Sequence, residues 1–268
     1  MTQKRGNPLC PARVLPTIAL ALLAVLVFPT PAHALGDYVG VEGAAWFQGL
    51  DGNAAINDGS SQGTLIDFKS DLGLENRDTS PAGRVWFRLG RSRLIFDYSS
   101  SARTGDGRFS RAVTFNGVTY NTSETIRSRY DLTLLQGQYR FTLLDAKLAE
   151  VGLGIGLNVA QIKIDLNGST TGAASLDKNV PYPTVNASLV VKPIPGLHIR
   201  AEANGLSVNV SGNKVQILDA RVQIESYFLH SFGIFGGYRS YRFSVDAKDY
   251  GHVENTFTGP YVGLGVKF

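Results

Sequence analysis

Cysteine is nearly missing from this chain: of 268 residues, only Cys10 is one. It lies in an amino-terminal stretch expected to be removed, ahead of an apolar run rather than behind it. That position does not suit a lipoprotein cysteine. From residue 35 onward there is no thiol, which excludes a disulfide-stapled secreted domain and any thiolate metal site. Net charge is also scarce. The formal +4 includes Lys4, Arg5 and Arg13, no acid precedes residue 35, and the rest carries +1. No basic footprint for nucleic acid remains. Long apolar runs are lacking as well. Ile18 to Phe28 is eleven residues, against the roughly 20 that a membrane-spanning helix needs. After residue 35 no helix-period segment of useful length occurs.

The amino terminus reads as a secretory signal peptide. Lys4, Arg5 and Arg13 give a positive region and Ile18 to Phe28 the apolar segment. Pro29 and Pro31 break any helix, and Ala32 and Ala34 place small residues at both cleavage-recognition positions. Cleavage is expected after Ala34, giving a leader over 1–34 and one domain over 35–268. An all-β barrel can reach that length undivided.

Within 35–268, alternating runs are separated by Gly, Asn, Asp, Ser and Pro clusters. They fall near 37–48, 81–90, 92–102, 126–141, 148–165, 181–193, 197–210, 214–229, 232–246 and 255–268. Ten such strands predict a closed antiparallel up-and-down transmembrane β-barrel. Eight strands with a rearranged first loop is the alternative. Turns at 90–92, 143–147, 193–196 and 229–231 are short. At the other end, 49–80, 103–125, 166–180 and 247–254 are long and 211–213 is short. Short periplasmic turns with longer external loops is the outer-membrane pattern. An even strand count then puts both termini in the periplasm.

The 49–80 segment is acidic. Its residues 65–68 suggest a short strand, and Asp71-Leu72-Gly73-Leu74 a turn folding back over the mouth. The 103–125 segment carries Arg103, Arg108 and Arg111. Asn116-Gly117 predicts a type I′ hairpin there, standing above the membrane.

Alternation alone does not separate this barrel from a soluble one with an apolar cavity. A two-residue Gly212-Asn213 turn helps, because counting back from it fixes a register. Arg200 then opposes Glu225, Glu202 opposes Gln223, Asn204 opposes Arg221 and His198 opposes Tyr227. On the other face Ala201 meets Ile224, Ala203 meets Val222 and Leu197 meets Phe228. The charged face is unsuited to lipid, where a midplane Arg costs ~2–4 kcal/mol. In 148–165, Val151, Leu153, Ile155, Leu157 and Val159 form an apolar band. Glu150, Gly152, Gly154, Gly156 and Asn158 form the other face, where small residues leave room for bulky inward neighbours. Aromatic girdles are expected. The periplasmic one comprises Tyr38, Tyr139, Phe141, Tyr227, Phe228, Phe232 and Phe268. The outer one comprises Trp46, Phe47, Tyr98, Tyr130 and Phe257.

The chain ends Tyr261-Val262-Gly263-Leu264-Gly265-Val266-Lys267-Phe268. In it Tyr261, Gly263, Val266 and Phe268 resemble the carboxy-terminal signal that the barrel-insertion machinery reads. With the leader, the alternating strands and the turn asymmetry, the chain resembles small bacterial outer-membrane β-barrels of the broad OmpA-like and OmpW-like group. No internal motif selects a subfamily. The resemblance implies the outer membrane, its lipid and lipopolysaccharide, and the insertion machinery as partners.

Chemistry is sparse. Arg200, Glu202, Asn204, Arg221, Gln223 and Glu225 form the candidate lumen network, read as charges that satisfy one another rather than as an ion path. Ten strands with large charged residues inside should be narrow or plugged. No cofactor or metal site is expected: the acidic 49–80 lacks Ca²⁺-loop spacing, and Gly152-x-Gly-x-Gly156 lies in a strand with no helix to follow. Arginines of 103–129 suit lipopolysaccharide phosphates. His252, near Asp246, Asp249 and Glu254, offers half of an acid–base pair. The resulting expectation is a non-enzymatic barrel with a structural role or limited small-solute passage. A surface enzyme acting on lipid or peptide near His252, and ligand recognition by 49–80 and 103–125, are the alternatives.

Overall fold

The computed structural model describes residues 38–57, 62–210, 212–228, 231–247 and 251–268. The expected leader with Ala32 and Ala34 lies outside the described residues, as do His230 and Asp249.

Thirteen strands follow one another, and among the described residues there is no helix. They are β1 (Val39–Ile56), β2 (Ile66–Asp67), β3 (Arg77–Leu89), β4 (Ser92–Arg108), β5 (Val113–Phe115), β6 (Val118–Tyr120), β7 (Thr125–Asp145), β8 (Ala149–Gly168), β9 (Gly172–Ile194), β10 (Leu197–Val210), β11 (Asn213–Phe228), β12 (Phe232–Ala247) and β13 (Gly251–Lys267). The wall runs β13-β12-β11-β10-β9-β8-β7-β4-β3-β1, and β13 pairs with β1 to close it. Closure removes the sheet edges that lipid could not hydrate. It brings the first and last described residues together: Phe268 accepts hydrogen bonds from the backbone N–H of Tyr38 (2.8 Å) and Val39 (3.2 Å). Ten wall strands are therefore present, not eight.

The strands outrun their expected ends. β8 and β9 continue to a Gly168–Gly172 pair, so much of 166–180 is hairpin rather than loop. The reason is a change of phase. On β8, exposed Leu153, Ile155 and Leu157 give way on the same face to Gln161, Lys163 and Asp165. On the buried face, Glu150 and Asn158 give way to Ala160, Ile162, Ile164 and Leu166. β7 does the same. Its buried face passes from Arg140, Gln138 and Gln136 to Leu134, Leu132 and Tyr130, while its outer face passes from Phe141, Tyr139 and Leu135 to Asp131 and Arg129. Near the short turns the barrel is apolar outside and polar inside. Toward the long loops it is polar outside and apolar inside, like a water-soluble barrel.

That upper interior is filled by the first two long connections. Phe68, Leu72 and Leu74 from 66–74 are buried against Tyr130, Tyr241 and Phe257, with Phe68 and Tyr130 rings 5.2 Å apart. The β5–β6 hairpin turns on Asn116 and Gly117 (φ 46° and 79°), as a type I′ turn requires. Instead of standing free, it buries Val113, Phe115 and Tyr120 in the same core. Tyr120 donates to the Leu166 carbonyl at 3.1 Å and Asn116 to the Ser175 carbonyl at 2.9 Å. Backbone meets backbone where 71–74 crosses the end of β4: a Cβ on Gly107 would lie 2.2 Å from the Asp71 carbonyl oxygen.

The β10–β11 ladder closes at Val210–Asn213, two residues away from the register counted from Gly212-Asn213. Arg200 thus opposes Gln223, Glu202 opposes Arg221, Asn204 opposes Asp219 and His198 opposes Glu225. A slip of two leaves every side chain on its original face. One seam of the wall is incomplete. β9 and β10 pair from Ile194–Leu197 only as far as Val185–Gly205, although both strands continue beyond that point.

Candidate functional site

The polar interior is a layer of ion pairs in the lower half of the barrel. Arg200 meets Glu225 at 2.8 Å and Glu42 at 3.3 Å. Glu202 takes Arg84 at 2.7 Å, Arg221 at 3.2 Å and also Arg140. Asp97 takes Arg84 at 2.8 Å and Arg221 at 3.2 Å. Above them Asp219 holds Arg239 at 2.8 Å and accepts from Gln136 at 3.0 Å. Gln223 donates to Glu225 at 3.1 Å and accepts from the Tyr261 hydroxyl at 2.8 Å. Arginines 84, 140, 200, 221 and 239 face carboxylates 42, 97, 202, 219 and 225, so the layer carries no excess charge. Buried charges persist only when paired in this way. Beneath it, Glu150 gathers Arg88 (3.2 Å), Arg93 (3.4 Å) and Lys192 (3.9 Å).

The candidate network thus places Arg200, Glu202, Arg221, Gln223 and Glu225 in one connected cluster. Asn204 stands apart. It is buried, yet neither side-chain amide atom has a hydrogen-bond partner among the described residues. Sequence reasoning missed Glu42, Arg84, Asp97, Arg140, Asp219 and Arg239, which supply much of the layer. Their signal is a lone charge between outward apolar residues, such as Asp97 between Phe96 and Tyr98. Glycine makes room as expected on β8, where a Cβ at Gly152 would lie 2.9 Å from the Arg140 side chain.

The aromatics divide. Tyr38, Tyr139, Phe141, Phe228, Phe232 and Phe268 are exposed around the short-turn end. Tyr227 donates inward to Glu225 at 3.1 Å. Of the outer set, Phe47 and Tyr98 are exposed, whereas Trp46, Tyr130 and Phe257 point inward and belong to the core. In the terminal run, Val262 and Leu264 are exposed, as is Phe268, while Tyr261 is turned into the barrel.

The loop arginines act mainly as staples. Arg103 is buried and donates to the carbonyls of Glu75 (2.6 Å) and Gln48 (3.1 Å), which removes it from the phosphate-binding set. Arg111 donates to Asp71 at 3.0 and 3.3 Å. Glu124 accepts from the backbone N–H groups of Asn121 (3.0 Å), Thr170 (2.9 Å) and Thr171 (2.7 Å), and from the Thr171 hydroxyl (2.6 Å). The Thr171 hydroxyl, foremost among these donors, holds its carboxyl down at about 2. His252 lies directly across from Asp246 on the neighbouring strand, and Glu254 across from Ser244. Among the described residues no group of three or more acidic or histidine side chains is arranged to hold a metal ion.

No protein-family model matches the chain, and no curated protein matches it. Among solved structures it is similar to the outer-membrane protease OmpT of Escherichia coli, with a TM-score of 0.56 at 10% identity, over 88% of this chain and 99% of that one. It also matches the translocator domain of the autotransporter NalP of Neisseria meningitidis, with a TM-score of 0.45 at 14% identity, over 95% of this chain and 96% of that one. At such identity the first likeness speaks for the fold and nothing finer. With its closed ten-stranded wall and exposed apolar band, this chain has the fold of the bacterial outer-membrane β-barrels, crossing the membrane with strands.

Proposed function

We propose that the protein is a non-enzymatic outer-membrane barrel with a structural envelope role, its lumen closed to solutes. The short-turn end and both termini face the periplasm, and the long-loop end faces outward. The observation that carries this reading is the stacking of a charge-balanced ion-pair layer beneath an apolar plug. A cavity of about 30 Å³, lined by Trp46, Arg84, Asp97, Arg221 and Arg239 among others, lies within the barrel. That is space for a water or two, not a path. Of the two roles expected from sequence, structure and limited solute passage, the geometry favours the first. The test is reconstitution in planar bilayers: no steady current is expected, and steady open channels would overturn it.

Its partners in this reading are outer-membrane lipid along the apolar band and lipopolysaccharide phosphates at the exposed Arg127 and Arg129. The insertion machinery would engage the terminal strand with Tyr261, Gly263, Val266 and Phe268.

A second reading is enzymatic, with OmpT as the fold relative that bears the word protease. One observation favours it: the cross-strand placement of His252 and Asp246, a carboxylate beside an imidazole. If His252→Ala leaves envelope lipid and peptide-cleavage profiles unchanged, this reading fails.

A further inference from the structure

The short-turn end of the barrel carries charge that is not balanced there. β3, β4, β7, β8 and β9 are consecutive neighbours in the wall. Below the ion-pair layer, these strands and their turns bring five cations, Arg88, Arg91, Arg93, Lys147 and Lys192, against two carboxylates, Asp145 and Glu150. The layer above has no excess; this arc has three positive charges too many. Glu150 is buried and shared by Arg88 at 3.2 Å, Arg93 at 3.4 Å and Lys192 at 3.9 Å. Asp145 is held by Arg88 at 2.8 Å. Two acids thus serve three cations, and Nε of Arg93 is buried without a hydrogen-bond partner among the described residues.

Arg91 and Lys147 stand outside that arrangement. Arg91 is exposed on the turn between β3 and β4, and Lys147 on the turn between β7 and β8. Neither has an ion-pair partner among the described residues. The turns are tied side by side through the backbone. Thr142 donates its N–H to the Arg91 carbonyl at 2.8 Å, and Lys192 donates to the Leu148 carbonyl at 2.8 Å. The β3–β4, β7–β8 and β9–β10 turns therefore make one continuous basic rim.

A second, independent observation says what covers it. The same turns are apolar: Leu89 and Leu148 are 74% and 65% exposed, and Leu143, Leu144 and Ile194 are exposed as well. Bare leucines on turns that join lipid-facing strands set those turns where hydrocarbon gives way to headgroups. A Lys or Arg at that depth keeps its stem in the apolar layer and its charge among the phosphates. A soluble anion or a cell-wall polymer would use the cations and leave the leucines in water. A zwitterionic headgroup brings an ammonium group too, and the one exposed carboxylate of the rim, Asp145, is already taken by Arg88. The charge balance therefore favours a lipid that is anionic overall.

We propose that this rim binds an anionic glycerophospholipid of the leaflet it faces. Arg91 and Lys147 take the headgroup phosphate, for which Arg is well suited, and the exposed leucines meet the acyl chains. In the orientation proposed above, that leaflet is the periplasmic one. The inference rests on the transmembrane reading and not on the lumen being closed. Failure to insert into vesicles of any lipid would sink the transmembrane reading, whereas insertion without lipid preference would sink only this one.

The test is native mass spectrometry of the refolded protein in detergent, with phosphatidylglycerol and phosphatidylcholine of matched chains added at equal concentration. Heat-modifiable gel mobility verifies folding of each variant. Phosphatidylglycerol should be retained about tenfold over phosphatidylcholine, and Arg91→Gln with Lys147→Gln should lose most of that preference, since each cation at an anionic lipid surface is worth roughly fivefold. Arg127→Gln with Arg129→Gln, at exposed cations of the upper wall, should keep it. Glycerol phosphate, the headgroup without chains, should not displace the lipid at equal concentration. Equal retention of the two lipids overturns the proposal, as does a preference that survives in the rim variant or is lost equally in the upper-wall one. Displacement by glycerol phosphate would make the rim a site for a free anion. Sedimentation with cell-wall sacculi that needs Arg91 and Lys147 and resists excess phosphatidylglycerol would assign it to the wall polymer. Either result also overturns the lipid site.

Discussion

Glu202 accepts a hydrogen bond from Arg84 at 2.7 Å across 118 positions of sequence, joining β10 to β3, two strands that share no edge. The same carboxylate holds Arg140 and Arg221. Three guanidinium groups thus share one buried anion, two of them also holding Asp97, and the link from β3 to β10 exists only once the wall has closed.

Glu202→Ala should therefore destabilise the barrel by ~3–5 kcal/mol, the penalty for stranding buried charge. Glu254→Ala, on the outer face near the loops, should cost under about 0.5 kcal/mol. Urea unfolding in lipid vesicles, read by heat-modifiable mobility, measures both. Equal costs would mean that the inner charges are well hydrated.

The change of phase on β8 yields a paired prediction. Leu157→Arg, close to the upper edge of the lipid-facing band, should cost about 1–2 kcal/mol, between the midplane and interface values. Gln161→Arg, four residues along the same face, should cost close to nothing. The same unfolding assay checks both, and a large penalty at 161 would place lipid higher on the wall.

Glu124 gives a pH dependence with a definite sign. Its carboxyl is lowered from 4.5 to about 2 by the donors around it. A lowered folded-state value means that its contribution is complete above the unfolded value and is lost as pH falls through the folded one. The clamp between 121–124 and 170–171 should hold at pH 5 and release between about 4.5 and 2. Pepsin should cut within 103–125 at pH 2 far faster than at pH 4, whereas Glu124→Gln should be cut readily at both.

Phe268 supplies main-chain hydrogen bonds to β1 that any residue there could make. Phe268→Ala should consequently refold normally in vitro yet assemble poorly in cells, if its exposed ring is what the insertion machinery reads. Quantifying membrane-assembled protein against refolding yield separates the two, and equal losses in both would assign the ring to stability alone.

All ten wall strands were legible because alternation along each is strong where the outside is apolar. The Gly212-Asn213 turn placed Arg200 and Glu202 on the correct face but two residues out of register, because faces depend on parity and partners do not. The upper ends of β1, β4 and β9 fall in the expected loops 49–80, 103–125 and 166–180, because the apolar outer face that marks a strand below is absent there. The switch does leave a mark, the adjacent pair Leu134-Leu135, of which the first is buried and the second exposed. The ion layer was half legible. Arg84 on β3 and Arg140 on β7 reach Glu202 on β10, strands that share no edge with theirs, and only the closed wall sets those distances.

The change of phase also makes the barrel self-levelling. Sinking by two residues of β8, about 7 Å of strand, would carry Gln161 and then Lys163 into hydrocarbon, and rising by as much would lift Leu157 into water. Either displacement is opposed all around the circumference at once, so the protein floats at one waterline, with the prolines of β9 beside Val159 and Leu157 held just beneath it.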